Sequence, residues 1–221
     1  MALAVLAAGM CPPAWGQQST DDAIREANQA GHPVRSISPI FSQLVLFTIP
    51  AGFKTVTEAT NQGARYIREM VLDGETVDQW SQMITITGAK GLAASPNVTP
   101  QVLANLIAGG FKRACPDTFA TQELGALTIS GQPAFVVWAS CGTAPATPGA
   151  APHSEAAVIF GIKGTDDYYT IQWAEREAAS SQPLAFDGTK WTGRVAKLNP
   201  VKLCPIVPGE RPPYVSCVEG K

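Results

Sequence analysis

Histidine is scarce in this chain of 221 residues, with only His32 and His153 present. Serine and cysteine hydrolases need a base beside the nucleophile, and these two histidines stand in a polar segment next to Pro33 and in a Pro-, Ala- and Gly-rich stretch. No serine lies in a G-x-S-x-G elbow. There is no C-x-x-C spacing either, so a zinc site has neither its usual thiolate pair nor enough imidazole. Gly88-Ala89-Lys90-Gly91 lacks the first glycine and the Lys-Ser/Thr ending of a phosphate loop and reads as a turn closing a strand. Basic residues are not in excess: 16 Lys and Arg stand against 18 Asp and Glu, a formal net charge of -2. Nucleic acid and anionic membrane surfaces are therefore not expected partners. No apolar run after the N-terminal segment approaches membrane-spanning length. Among the carboxylates, Asp166-Asp167 read as a turn and Glu175-Arg176-Glu177 as a solvated strand end. No catalytic, cofactor or metal residue is assigned, and the balance leans away from an enzyme.

Cysteine is what the chain does have. The apolar run Ala2 to Met10, the Pro12-Pro13 pair and the small residues Ala14 and Gly16 read as a signal peptide over residues 1–16, although no Lys or Arg precedes the run. A lipoprotein anchored at Cys11 is the rival, disfavoured because Met10 stands where a lipobox has a small residue. Beyond that segment remain Cys115, Cys141, Cys204 and Cys217, an even number suited to an oxidising compartment, so the expected location is periplasmic or secreted. Four cysteines allow three connectivities; Cys115 with Cys141 and Cys204 with Cys217 is favoured, because each pair sits at element edges and closes a modest loop. The second pair would pin the proline-rich tail.

Along the chain, Ser19 or Thr20 caps a helix through Asn28 that Gly31 ends. Strands are expected over Leu44–Ile49, Phe53–Thr57, Ala64–Leu72, Gln82–Thr87, Leu124–Ile129, Ala134–Cys141, Glu155–Lys163 and Tyr168–Trp173. Ala64–Leu72 carries charges on both faces and belongs near an edge. Thr76-Val77-Asp78-Gln79 fits a capping box, predicting one helical turn that carries Trp80. Thr99-Pro100 starts a helix with Val102, Leu103, Leu106 and Ile107 as its apolar stripe and Gly109-Gly110 weakening its end. A last helix, Asp187 to Leu198, presents Trp191, Val195 and Leu198. Strands outnumber helices and most links are short. This predicts an α+β domain over residues 41–200, mainly antiparallel sheet with helices chiefly on one side, between a lead-in (17–40) and a disulfide-pinned tail (201–221).

The blocks IPAGF, ARYIREMVLDGETVDQWSQMITITG, the Thr99 helix and EAAVIFGIKGTDDYYTIQWAERE resemble a largely uncharacterised family of exported bacterial proteins. Over Leu44 to Leu198 their order is similar to the Mog1/PsbP-like α/β domain. That resemblance implies a sheet sandwiched by helices and a binding or accessory role, and it supplies no catalytic residues.

The expected function is thus non-enzymatic binding of a protein partner in the envelope. The alternatives are an envelope hydrolase with an unlocated site and a carrier of a small apolar ligand. The contact surface is sought at Tyr66, Trp80 and Tyr168, with Tyr168 on the outward face of its strand, and along the stretch from Gly142 to His153. Against this, large aromatics in strands are ordinarily core.

Overall fold

The computed structural model describes residues 22, 26, 27, 29–146 and 149–219. The signal-peptide reading, Cys11 and the start of the first helix lie outside them. The end of that helix is described: Gly31 adopts φ +71° after Ala30, and His32 N donates to Ala27 O, as at a glycine-terminated helix.

Two antiparallel sheets make the frame. The smaller has β1 (Val34–Ile40), β2 (Gln43–Ile49) and β10 (Lys202–Pro205) in the order β1-β2-β10. The larger comprises β3 (Phe53–Asn61), β4 (Arg65–Leu72), β5 (Gln82–Ala89), β6 (Phe119–Ile129), β7 (Gln132–Ala144), β8 (His153–Lys163) and β9 (Tyr168–Ala178), in the order β3-β4-β5-β9-β8-β7-β6. β1 lies in the segment read as a lead-in and β10 in the segment read as a tail. Although β2 and β3 are separated by only three residues, they do not pair. Pro50-Ala51-Gly52 instead carries the chain from one sheet to the other, with Gly52 at φ +88°. The β6–β7 hairpin turns through Ser130 and Gly131, both at positive φ, the twist-matched solution for a two-residue loop.

Three α-helices lie wholly within the described residues, α1 (Pro100–Ala114), α2 (Gly188–Leu198) and α3 (Val215–Glu219), beside two single 3-10 turns, Leu92–Ala94 and Pro116–Thr118. The Thr99 hydroxyl accepts from Val102 N and Asp187 accepts from Lys190 N, so α1 and α2 begin as the sequence indicates. They lie on opposite faces of the large sheet rather than chiefly on one. In β7, Val136 and Trp138 join the core beneath α2 and the small sheet, whereas Val137 and Ala139 pack beneath α1. Trp191 and Leu198 of α2 are buried as expected.

The buried side of α1 is only in part the expected stripe: Ile107 packs against the cluster beneath the helix and Leu103 is half-buried. Ala104 and Ala108 face the sheet, while Val102 and Leu106 are 48% and 63% exposed. Close approach explains this, since a Cβ at Gly161 in β8 would lie 2.5 Å from Pro100 O. Only small side chains fit such a contact. The helix also runs through Gly109-Gly110 to Ala114. No helical turn carries Trp80: the Thr76 hydroxyl accepts from Gln79 N, but Thr76 N donates back to Gln79 O, closing a loop instead.

β2 is buried on both faces. Val45, Phe47 and Ile49 enter the main core; Leu44 and Leu46 form a second cluster with Cys204, Cys217 and the partly buried Ile37 and Tyr214. The disulfides Cys115–Cys141 and Cys204–Cys217 have Cα separations of 5.7 and 5.6 Å. The first ties the end of α1 to β7; the second holds the C-terminal segment over the small sheet.

Candidate functional site

On the face of the large sheet that carries α1, the helix lies chiefly over β7 and β8 and reaches β6. Beyond the helix, β8 and β9 direct alternate side chains to the same face: His153 and Glu155 from β8, Ala174 and Arg176 from β9. The Arg176 guanidinium lies 3.7 Å from the centre of the Trp80 ring, and its Nε donates to Glu155 Oε2 at 2.9 Å. His153 Nε2 stands 3.6 Å from the same Glu155 oxygen, and its Nδ1 is 2.8 Å from Ala151 O. Arg176 is thus held over the indole by its bond to the Glu155 carboxylate.

The segment that delivers Trp80 is fixed by Glu75. Its Oε1 accepts from Ser81 N and Ser81 Oγ, and Oε2 from Leu72 N. Opposite it runs the connection between β7 and β8. The two segments enclose an open cleft of about 450 Å³ lined by Asp78, Trp80, Gly149, Pro152, His153 and Arg176, with Glu75 and Glu177 also on its walls. A second, apolar pocket of about 210 Å³ lies under the end of α1, lined by Ile107, Phe111, Ala114, Cys141, Ala144 and Glu155. Glu155 borders this pocket and bonds the arginine that forms the first, so the two hollows share one continuous face.

Two of the sequence candidates, Trp80 and His153, meet in this cleft; the others do not. Tyr168 is fully buried, not outward, because the segment before α1 folds over it and Val98 O accepts its hydroxyl. Tyr66 is 8% exposed and turned toward the main core, donating to Glu58 Oε1 at 2.7 Å. Burial, with this bond to a carboxylate, pushes its phenol well above the ordinary tyrosine range. Gly142 is buried within β7, where a Cβ would lie 2.2 Å from Gln182 O, so the stretch from Gly142 to His153 is not one loose loop. Strand pairing extends to Ala144 opposite His153.

Sequence reading missed Arg176 and Glu155 as members of the site, because Glu175-Arg176-Glu177 looked like a solvated strand end. Glu175 is in fact buried on the opposite face, bonded by Arg194 Nε and, at 2.7 Å, by Lys190 Nζ of α2. Strand alternation alone would have separated Arg176 from its two glutamate neighbours. Nothing in the sequence pairs it with Trp80.

No protein-family model matches the chain, and neither does any curated protein. Solved structures do. The chain is similar to the Ran-binding protein Mog1p of Saccharomyces cerevisiae at 11% identity, covering 74% of this chain and 83% of that one, with a TM-score of 0.40. It is also similar to cyanobacterial PsbP (CyanoP) of Synechocystis sp. PCC 6803 at 10% identity, covering 85% and 91%, with a TM-score of 0.36. Both proteins bear the names of the fold that the order of elements resembles, at low identity. Similarity at this level says nothing of what this chain binds.

Proposed function

We propose that this is an exported, non-enzymatic binding protein that engages an extended segment of a protein partner in the cell envelope, through the face running from the end of α1 to Trp80. The observation that carries the reading is the pairing of two hollows across the Glu155–Arg176 ion pair: an apolar pocket beside Ile107 and Phe111 and an aromatic–guanidinium cleft at Trp80. Pre-set aromatic and arginine groups beside an apolar pocket are the anchors on which interface energy concentrates. Glu75 and Asp78 on the cleft walls favour a basic residue of the partner there, with an apolar residue seated under α1. Two disulfides support an oxidising compartment. Among the described residues, no helix is long and apolar enough to cross a membrane.

The test is affinity capture from crosslinked intact envelopes with the wild-type chain, Trp80→Ala and Ile107→Glu. Loss of one specific protein with both variants, each melting like the wild type, is the expected result. Equal recovery by all three chains overturns the reading.

A further inference from the structure

A second site, independent of the proposed partner face, lies between the two sheets. Arg68 points from β4 into the space between the sheets, on the face that also carries Tyr66 and Met70, and is only 5% exposed. A buried guanidinium ordinarily has a carboxylate fitted to its fork. Here the fitted acceptors are hydroxyls: Thr55 Oγ1 accepts from Nε (3.1 Å) and Nη2 (2.9 Å), and Ser36 Oγ accepts from Nη1 (3.0 Å). The nearest carboxylate, Glu58, stands 3.8 Å from Nε, beyond hydrogen-bond reach, and its other oxygen is engaged by Tyr66. A guanidinium has five N–H groups. With one used on each nitrogen, one N–H remains on Nη1 and one on Nη2 for a further acceptor.

The surroundings are shaped around that guanidinium. A pocket of about 500 Å³ opens over it, lined by Val34, Arg35, Ile37, Glu58, Pro213 and Tyr214, among others. The register of β3 against β4 shifts between Thr55 and Thr57, a bulge of the kind that re-aims a side chain beside a site, and Thr55 supplies two of the three hydroxyl contacts. On the far wall Tyr214 holds φ +55°, a conformation unfavourable for an aromatic residue, at the segment that the Cys204–Cys217 disulfide retains.

From this geometry we infer that the Arg68 pocket is a binding site for a small organic acid, whose carboxylate seats on Nη1 and Nη2 and whose apolar body lies against Val34, Pro213 and Tyr214. Arg35, exposed at the rim, draws the anion in. Glu58 in the same lining disfavours a doubly charged phosphate more than a singly charged carboxylate.

The experiment is a calorimetric or NMR titration of the mature chain at low salt with hexanoate, benzoate, acetate and inorganic phosphate. Saturable binding of hexanoate or benzoate is expected, at least about fivefold tighter than acetate because the longer acid buries apolar surface. Arg68→Lys should weaken it about tenfold by removing the planar fork. Arg35→Ala, at an exposed position that leaves the fold alone, should weaken it severalfold, and Trp80→Ala should leave it unchanged. No saturable binding of either acid, binding indifferent to both arginine variants, or phosphate bound more tightly than the acids would each overturn the inference.

Discussion

Replacing Asp167 with asparagine should cost the fold about 3 kcal/mol. Asp167 is 1% exposed and joins three separate parts of the chain. Its Oδ2 accepts from Ser42 N (2.9 Å), Ser42 Oγ (2.6 Å) and Tyr169 Oη (3.3 Å), and its Oδ1 accepts from Gly91 N (2.7 Å). The turn between β1 and β2, the turn after β5 and the start of β9 are thereby fastened at one carboxylate. Asparagine keeps a single oxygen. If that oxygen takes the Oδ2 place, the amide nitrogen faces the Gly91 N–H, donor against donor, and a buried polar group goes unsatisfied at about 1–3 kcal/mol. Loss of charge assistance on the three remaining bonds brings the total to the stated figure. The pH dependence follows from the same contacts. Burial alone would raise the Asp167 pKa, but the bonds from Ser42, Gly91 and Tyr169 outweigh it and hold the carboxyl below the ordinary aspartate value. A depressed folded-state pKa means that the stabilisation is complete above the unfolded value, near 4, and is lost as pH falls through the folded value. Urea unfolding followed by tryptophan fluorescence, at pH 7 and in steps down to about pH 2.5, measures both effects. The variant should be less stable at pH 7 and show a shallower loss on acidification. A cost under about 1 kcal/mol together with an unchanged acid slope would refute the reasoning.

Two further outcomes concern the frame. Replacing both Cys204 and Cys217 with serine, which opens a link of sequence separation 13, should lower stability by about 3 kcal/mol and lower the melting temperature without abolishing the large sheet, as read by calorimetry and circular dichroism. Gly161→Ala should push α1 off β8, because the new methyl would meet Pro100 O at 2.5 Å, which is backbone and cannot rotate away; a loss of about 2 kcal/mol in urea unfolding is expected.

What the sequence revealed, and what it concealed, divides along the reach of each interaction. Local signals were legible: Thr99-Pro100 and Asp187 as helix starts and eight runs of strand character, all of which depend on neighbours within a few residues. The favoured disulfide pairing was readable from the modest loops it closes, although only Cys115 stands at the end of an element and Cys141, Cys204 and Cys217 lie within β7, β10 and α3. The run Leu44 to Phe47 could not disclose that both of its faces are covered, one by the large sheet and one by the C-terminal segment, because that segment lies some 150 residues away. The large apolar residues of α1 promised a core stripe, yet close packing on Gly161 turned the alanines to the sheet and left Val102 and Leu106 exposed. Of the site, Trp80 and His153 could be proposed as candidates. Arg176, Glu155 and Arg68 could not, because their roles arise from strand neighbours and from the opposing sheet, which the sequence does not place.

The central claim, that a protein partner docks on the face at Trp80, is tested most directly by site-specific photocrosslinking in intact envelopes. A photoreactive residue at Ala151, on the cleft wall, is compared with one at Val215, which is 50% exposed and lies in α3 at the C-terminal segment. The account predicts one protein adduct of defined mass from position 151, absent from position 215 and lost when Trp80→Ala is added. The same adducts from both positions, or none from 151, would contradict it.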